Sequence, residues 1–445
     1  MLRDILLFVL GKKEGFDLSA DFRFVTESQY WTDEQIMHYQ EEKLKKIISH
    51  AYNNVPFYKK TFDNLGLLPG DIKSLEDLSK LPIIRKQDVS NNPSDFLAKD
   101  FRSYHPVHHH TGGTTGKPFQ YYNDRKSWSL NWALKMRTFE WAGYRYGKDR
   151  LGVMAGGSLS PKQGMTFSHR VWRFINNYYT MPITHMTPEI MDGYEHELKR
   201  QKIRFLRGYP SAITSFAEYL NSCNRKLPML AVFTTAEMLY PHQRKIMELV
   251  FECKVFDTYG CGDGMGHATE CEQHDGLHIC FENSIMQVVN DRGVQVKPGE
   301  EGEIVLTSLS DFAMPLIRYA PGDLAALAEK KCSCGRSMQV ISKIIGRTSD
   351  SFTLSNGRII NGLSLPFEDL TKEVEQFQIV QEAIDQIRVL LVAKKAIPEK
   401  RISSIEETMR YHCGDGISIV VEQVNEIEVP VSEKFRYVIS KVKNS

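Results

Sequence analysis

Apolar positions set the first expectations. Between residues 33 and 65, Ile36, Leu44, Ile47, Ile48 and Tyr52 recur at helical spacing, which predicts helix with one buried face. Asn54-Val55-Pro56-Phe57-Tyr58 carries a proline that enforces extended backbone ahead of it. Ser74 and Asp77 have capping-box spacing, so a short helix is expected to begin at Ser74. From 126 to 330, apolar runs of strand length alternate with amphipathic ones. Leu151–Ala155, Phe205–Leu206, Leu230–Thr234, Lys254–Asp257 and Glu303–Ser308 are strand candidates. Segments 211–223 and 240–252 are helix candidates, with Ser211 and Pro241 as starting residues. Asn290-Asp291-Arg292-Gly293 reads as a turn joining two strands. After about residue 350 the pattern becomes a compact α/β segment with strands near 386–393 and 417–424. Alternating strand and helix predict an α/β core.

A chain of 445 residues is too long for one ordinary core and points to two or three domains. With 56 basic and 55 acidic side chains the formal net charge is +1, so the basic excess of a nucleic-acid-binding protein is missing. Eight cysteines are too few for a disulfide-built scaffold. The apolar run Ile5–Leu10 is too short to span a bilayer and is followed by Lys12 and Lys13 instead of a cleavage site. It reads as the buried face of a short first helix. A cytoplasmic protein with no nucleic-acid partner and no integral membrane segment is expected.

The segment densest in chemistry is Thr111-Gly112-Gly113-Thr114-Thr115-Gly116-Lys117-Pro118. Its glycines let backbone N–H groups turn toward one point, its threonines add hydroxyl donors, and Lys117 adds a mobile positive charge. Such a loop suits a polyphosphate. A Walker loop it is not. With Gly116-Lys117 aligned to that pattern, the first glycine falls on Thr111, and Pro118 replaces the magnesium-binding hydroxyl. The bland alternative is a Gly/Thr surface turn.

In composition the loop resembles the pyrophosphate-gripping loop of adenylate-forming enzymes, the acyl-CoA synthetase superfamily. Asn54–Tyr58 and Ile72–Ile83 resemble the opening of phenylacetate–CoA ligase-like proteins and their CapK-like relatives in capsular polysaccharide biosynthesis. Later phrases follow the family order. Arg207-Gly208-Tyr209-Pro210-Ser211 would begin a helix whose N-terminus points into a cleft. Phe233-Thr234-Thr235-Ala236-Glu237 places small residues after a strand, where the resemblance sets adenine against the backbone of Ala236 and Glu237. Asp257-Thr258-Tyr259-Gly260-Cys261-Gly262-Asp263 resembles the Tyr-Gly-x-Thr-Glu motif. By that resemblance Asp257, Tyr259 and Gly260 belong to the nucleotide site, Tyr259 stacking on adenine, and Asp263 helps hold magnesium. The chain departs from the motif twice: Gly262 stands where a hydroxyl residue is usual, and Asp263 is one methylene shorter than glutamate.

Ile317–Asp323 resembles the segment whose aspartate, here Asp323, bonds the ribose hydroxyls. Gly346-Arg347-Thr348-Ser349-Asp350 resembles the hinge, Arg347 contacting ribose or phosphate. Val429–Arg436 resembles the Pro-x-x-Gly-Lys closing motif, with Lys434 as the mobile lysine and Glu433 in the glycine position. The resemblance runs from about residue 33 to 440. It implies a multidomain α/β protein: residues 1–349 form a large N-terminal adenylation domain and 350–445 a small mobile α+β domain carrying the closing lysine.

A second constellation concerns metal. Cys271 and His278 precede Cys332-Ser333-Cys334, and three thiolates with an imidazole suit tetrahedral zinc. Cys-x-Cys is tighter than zinc-finger spacing, but some phenylacetate–CoA ligase-like relatives carry a similar set. Cys271, His278, Cys332 and Cys334 are therefore the expected ligands of a structural Zn2+. Cys261, Cys280, His267 and His274 are near enough in sequence to replace one of them, and free core cysteines with surface histidines are the alternative. His108-His109-His110 must alternate sides on a strand, leaving His109 or His110 as a substrate-site candidate.

The resemblance implies an enzyme that activates a small-molecule carboxylic acid with ATP and Mg2+. The carboxylate attacks the α-phosphorus, pyrophosphate leaves, and an acyl-adenylate remains. Lys117, Thr114 and Thr115, with Thr111, Gly112, Gly113 and Gly116, would hold the phosphates. Lys434 would steady the α-phosphate, and Glu237, Tyr259, Asp323 and Arg347 the nucleoside. Coenzyme A is the leading acyl acceptor. An amine on a sugar, or a carrier, is the alternative for capsule-type relatives. The departures at Gly262, Asp263 and Glu433 motivate a third reading, nucleotide binding without turnover. The identity of the acid is not legible: Trp141, Tyr144 and Tyr209 suit an aromatic pocket or core packing equally. The resemblance also allows a homodimer.

Overall fold

The computed structural model describes residues 15–110, 119–155, 177–183, 186–347, 351–354, 359–361, 374, 376–393, 395–413, 416–427 and 438–442. The Ile5–Leu10 run, the 111–118 loop, hinge residues 348–350 and most of the Val429–Arg436 motif, including Lys434, lie outside the described residues. The chain divides into two compact units. One takes residues up to 321 apart from the loop, together with 326–343; the other takes 322–325 and 344 onward.

Helices open the first unit. Asp33–Asn54 has a complete capping box, Gln35 N donating to Thr32 Oγ1 at 3.3 Å and Thr32 N to Gln35 Oε1 at 2.9 Å. The helical stretch 33–65 divides at the proline, as expected, into two helices. Pro56 disfavours helical backbone at Val55, which is extended (φ −110°, ψ 118°), and then serves as the first residue of Pro56–Leu65. Leu44, Ile47 and Ile48 are buried as their spacing predicts, whereas Ile36 and Tyr52 are half-buried and Gln40 and Ala51 complete the face. The Ser74 box also forms, Asp77 N donating to Ser74 Oγ at 3.4 Å and Ser74 N to Asp77 Oδ2 at 3.1 Å. The helix it precedes, Glu76–Lys80, is 3₁₀.

The core of this unit is a parallel block ordered Tyr178–Pro182, Leu151–Ala155, Phe205–Gly208, Ala231–Thr235, Lys254–Cys261. Helices Pro188–Arg200, Pro210–Ser222 and Pro241–Phe251 each begin on a proline, whose missing N–H costs nothing at that position. On one face Met154, Leu206, Val232 and Val255 pack with Ile213, Phe216, Leu220, Met247 and Phe251. On the other, Val153, Phe205, Phe233 and Phe256 pack with Phe139 and Tyr144, so the helix Arg125–Glu140 covers that side. Successive strand residues point to opposite faces, which is why 205 and 206 separate.

Beyond Lys254–Cys261 the sheet turns antiparallel through Gly266–Glu270 and Leu277–Ile279, the latter meeting the start of Val340–Arg347. Ser284–Val289 pairs with Glu301–Ser308, and the Asn290–Gly293 turn closes with Gly293 N on Asn290 O at 2.8 Å. A buried ion pair, Arg137 with Glu282, anchors the helices to this half. Arg137 also donates to Val25 O at 2.9 Å, Ser28 Oγ to Glu282 at 2.7 Å, and Tyr39 Oη to the Glu282 carbonyl at 2.9 Å. Removing one partner of such a pair strands a charge and costs about 3–5 kcal/mol.

The second unit holds a four-stranded mixed sheet ordered Ser418–Gln423, Gln386–Val392, Gln376–Ala383, Val438–Ser440, with the helix Glu399–Cys413. Ile379, Ile387, Val389, Leu391, Ile405 and Met409 form its buried interior. Among the described residues of the chain no helix is long and apolar enough to cross a membrane.

Candidate functional site

Three parallel strands of the first unit end together. Their register pairs Gly208 with Thr234, Thr234 with Asp257, and Thr235 with Thr258. The residues that follow, Tyr209, Ala236 with Glu237, and Tyr259 with Gly260, therefore gather at the carboxyl ends of adjacent strands, where open α/β sheets bind ligands. Only glycine fits at 208, since a Cβ there would lie 2.1 Å from Met154 O. Ala236 is exposed and has φ +71°, a left-handed conformation costly for alanine and characteristic of ligand-contacting backbone. Glu237 Oε2 accepts from Ser211 N at 3.1 Å, placing its charge at the positive end of Pro210–Ser222.

Asp257 is turned into the protein. It accepts from Thr234 Oγ1 at 2.6 Å, and its N–H donates to Glu270 Oε2 at 3.0 Å. Burial pushes its carboxyl up to about 6, against the Thr234 bond. Glu270 is held by Arg244 at 2.6 Å and His274 at 3.2 Å. Asp257 thus ties neighbouring strands behind Tyr259, which is half-buried.

Asp263 is buried, and three side chains converge on it. Tyr319 Oη donates to Oδ2 at 2.5 Å, Cys261 Sγ to Oδ1 at 3.0 Å, and Lys86 Nζ lies 3.7 Å from Oδ2. A carboxylate oxygen that accepts one bond keeps a second lone pair, and magnesium usually takes one or two protein carboxylates beside phosphate and water oxygens. Asp263 fits that role despite its shorter reach. The departure at Gly262 also has a structural counterpart: a Cβ there would lie 2.8 Å from Tyr121 Oη. Tyr121 is fixed by stacking on His109 (5.3 Å) and Phe119 (5.9 Å), and Phe119 stacks on Tyr319 (6.2 Å). Burial and the Asp263 charge push the Tyr121 phenol upward, which keeps the hydroxyl protonated. A tyrosine hydroxyl occupies the space beside Gly262 that a residue with a side chain would fill.

Of the remaining predicted residues, Asp323 opens the strand Asp323–Leu327 and is buried, and Arg347 ends Val340–Arg347. Thr111, Gly112, Gly113, Thr114, Thr115, Gly116, Lys117 and Lys434 lie outside the described residues. His108 and His109 alternate on Val107–His110 and meet Tyr122 and Tyr121 across the pair. Tyr144 and Tyr209 are core residues, and Trp141 bonds Gln29 at 2.9 Å, so these aromatics pack the fold. Lys86 and Tyr121 were invisible to sequence reading, because each reaches Gly262 or Asp263 from a distant segment without a local spacing signal.

The four predicted zinc ligands do converge: the donor atoms of Cys271, His278, Cys332 and Cys334 all lie within 4.8 Å of one another. Cys271 Sγ is 3.6 Å from Cys332 Sγ, and Cys334 Sγ is 3.5 Å from His278 Nε2. Zinc–sulfur bonds of about 2.3 Å in a tetrahedron set donors about 3.5–3.8 Å apart, which these two separations match. Burial, then the Arg336 charge, holds His278 down to about 4, in the neutral state a ligand requires. Burial pushes the Cys271 thiol up to about 12. Burial opposes ionisation of Cys334 too, but Arg336, which lies over the Trp141 ring at 4.3 Å, overcomes it and draws that thiol below its usual value.

The Tyr121–Gly262 fit gives a test. Gly262→Thr alone is expected to overpack the site by about 1–3 kcal/mol, lowering the melting temperature by several degrees. Combined with Tyr121→Phe it should cost clearly less than the sum of the two changes. Additive losses in thermal melts would show that the two positions do not compete for one space.

The C-terminal part of the chain, residues 352–441, matches the family model described as CapK C-terminal domain. Phenylacetate–coenzyme A ligase of Aromatoleum evansii is 30% identical over 344 residues, 73% of this chain and 72% of that one. The enzyme of the same name from Escherichia coli (strain K12) is 28% identical over 361 residues, 76% of each chain. In fold, 2-hydroxyisobutyryl-CoA ligase in the postadenylation state, in complex with R3-HIB-AMP, superposes with a TM-score of 0.75 at 21% identity, covering 94% of this chain and 92% of that one. By its likeness to the Aromatoleum enzyme the chain belongs to the phenylacetate–coenzyme A ligase family.

Proposed function

We propose that the protein activates a carboxylic acid with ATP, releasing pyrophosphate to form an acyl-adenylate, and then transfers the acyl group to coenzyme A. The gathering of Tyr209, Ala236, Glu237 and Tyr259 at three strand ends, in a chain of this family, carries the reading. The relatives are named as ligases of phenylacetate and coenzyme A, and the fold neighbour holds an acyl-AMP.

In this reading adenine lies against the strained Ala236 backbone with Tyr259 on its face, and Asp257 and Gly260 shape the wall behind it. Asp323 takes the ribose hydroxyls and Arg347 the ribose or phosphate. Thr111, Gly112, Gly113, Thr114, Thr115, Gly116 and Lys117 receive the pyrophosphate, and Lys434 the α-phosphate. Magnesium, with Asp263 as a protein ligand, would neutralise phosphate charge. The substrate carboxylate is already ionised, so no side-chain base is needed; the protein's contribution is positioning and charge stabilisation. Residues 1–349 act as the adenylation domain, and 350–445 swing about Asp350 between the two steps.

The CapK C-terminal match favours one second reading, in which the acyl acceptor is an amine on a sugar instead of coenzyme A. Both readings share the first step and differ only in product. The four-residue cluster is assigned a structural zinc, since four protein ligands leave no open coordination position.

Carboxylate-dependent pyrophosphate release from ATP and magnesium, measured over aryl, fatty and dicarboxylic acids, tests the first step. Lys434→Ala should lower kcat by about 10²–10³-fold, and an acyl-CoA product would distinguish thioester from amide formation. Silence across the panel with ATP still bound would contradict the proposal. For the metal, elemental analysis should find about one zinc per chain, lost in Cys332→Ser together with several degrees of thermal stability. Metal-free protein with unchanged melting would refute the zinc assignment.

A further inference from the structure

Beneath the helix Arg125–Glu140 lies a group of basic side chains that the reaction above does not use. Arg207 is 8% exposed and His267 3% exposed. The Arg207 guanidinium sits 5.7 Å from the centre of the Phe139 ring, and Lys135 lies one helical turn before Phe139 on the same helix face. Lys135 Nζ is 5.6 Å from the Trp132 ring, which meets Tyr178 edge-on at 6.4 Å. Tyr178 pairs with Leu151, and Val153 of the same strand pairs with Arg207, so Tyr178 and Arg207 share the sheet face that this helix covers.

Among the described residues no carboxylate acts on Lys135 or Arg207; their electrostatic neighbours are each other and the Tyr178 and Tyr209 phenols. His267 Nε2 is buried with no hydrogen-bond partner. Arg137, the remaining nearby cation, is already paired with Glu282. Burial, reinforced by Arg207, holds the Lys135 ammonium down to about 7. Arg207 is buried and Lys135 half-buried, and like charges held close with no counter-ion among the described residues are expensive, while a neutral imidazole near them can donate one more N–H. Arg207 is also the residue before Gly208 and Tyr209, so the cluster lies just behind the strand ends that form the candidate site.

We infer that Lys135, Arg207 and His267 receive a second anionic group on the acid substrate, remote from the carboxylate being activated. The preferred substrates are then dianionic acids: dicarboxylates, or carboxylic acids bearing a sulfonate or phosphate. This rests on the acid-activating reading, and it specifies the substrate class that the sequence left open.

The test compares matched acids in the pyrophosphate assay: butanoate with succinate, hexanoate with adipate, phenylacetate with 4-carboxyphenylacetate. The dianion of at least one pair should have kcat/KM at least about tenfold higher than its neutral-tailed partner. Arg207→Met and, separately, Lys135→Met should collapse that ratio mainly through KM. Preference for the neutral-tailed acid in every pair, or a ratio unchanged in both variants, would overturn the inference. Titration calorimetry of adipate and 4-carboxyphenylacetate without ATP separates the two levels of the argument. Binding to the wild type that is weakened about tenfold or more in Lys135→Met, even with no pyrophosphate released, would support the anion site while refuting the acid-activating reading. Acid turnover with neither dianion preference nor Lys135-dependent binding would do the reverse.

Discussion

The parallel register of Phe205–Gly208, Ala231–Thr235 and Lys254–Cys261 is the constraint from which the candidate site follows. Because Gly208, Thr234 and Asp257 stand side by side, everything one or two residues further along each strand arrives at a common edge. The register depends on close backbone approach at Gly208, where any side chain would strike Met154 O, and on the Thr234–Asp257 bond between strands. Packing on both faces then leaves little freedom to slip, since a one-residue shift would exchange Phe205 and Phe233 with Leu206 and Val232 across the sheet. The strained turn at Ala236 is held by the same framework, through the Glu237 bond to Ser211.

Charge is handled in two contrasting ways around this edge. Arg137 and Glu282, and Arg244 and Glu270, are paired and hydrogen-bonded, and they fix elements to one another. Asp263 is different: a phenol, a thiol and an ammonium from separate segments converge on one buried carboxylate. Lys135 and Arg207 have no carboxylate acting on them among the described residues, which is what the inferred anion would supply. The cysteine–histidine cluster stands apart from this chemistry, joining the loop after Gly266–Glu270 to the Cys332–Cys334 turn.

Much of the parallel half was legible because Leu206, Val232, Val255 and their helices carry strong apolar runs bounded by prolines. Gly266–Glu270 and Leu277–Ile279 were not, since they are buried on both faces and show no alternation of apolar and polar residues. The helical stretch 33–65 and its break ahead of Pro56 were both legible, because proline stops one helix and starts the next without changing the apolar period. The four cysteine and histidine residues expected to hold zinc were legible from residue type and resemblance, and the fold brings all four together. Tyr121 and Lys86 were not legible, because contacts with Gly262 and Asp263 across long sequence separations leave no trace in spacing. Arg207 was in plain sight in its motif, but only its burial, with no carboxylate acting on it among the described residues, gives it meaning.

The account stands on attack by the substrate carboxylate at the α-phosphorus, and isotope transfer reports that bond directly. An accepted acid labelled with ¹⁸O in its carboxylate should yield AMP carrying one labelled oxygen, because the oxygen that joins the adenylate stays with phosphorus when the acyl group departs. Unlabelled AMP, or ADP and phosphate in place of AMP and pyrophosphate, would contradict adenylate formation at this site.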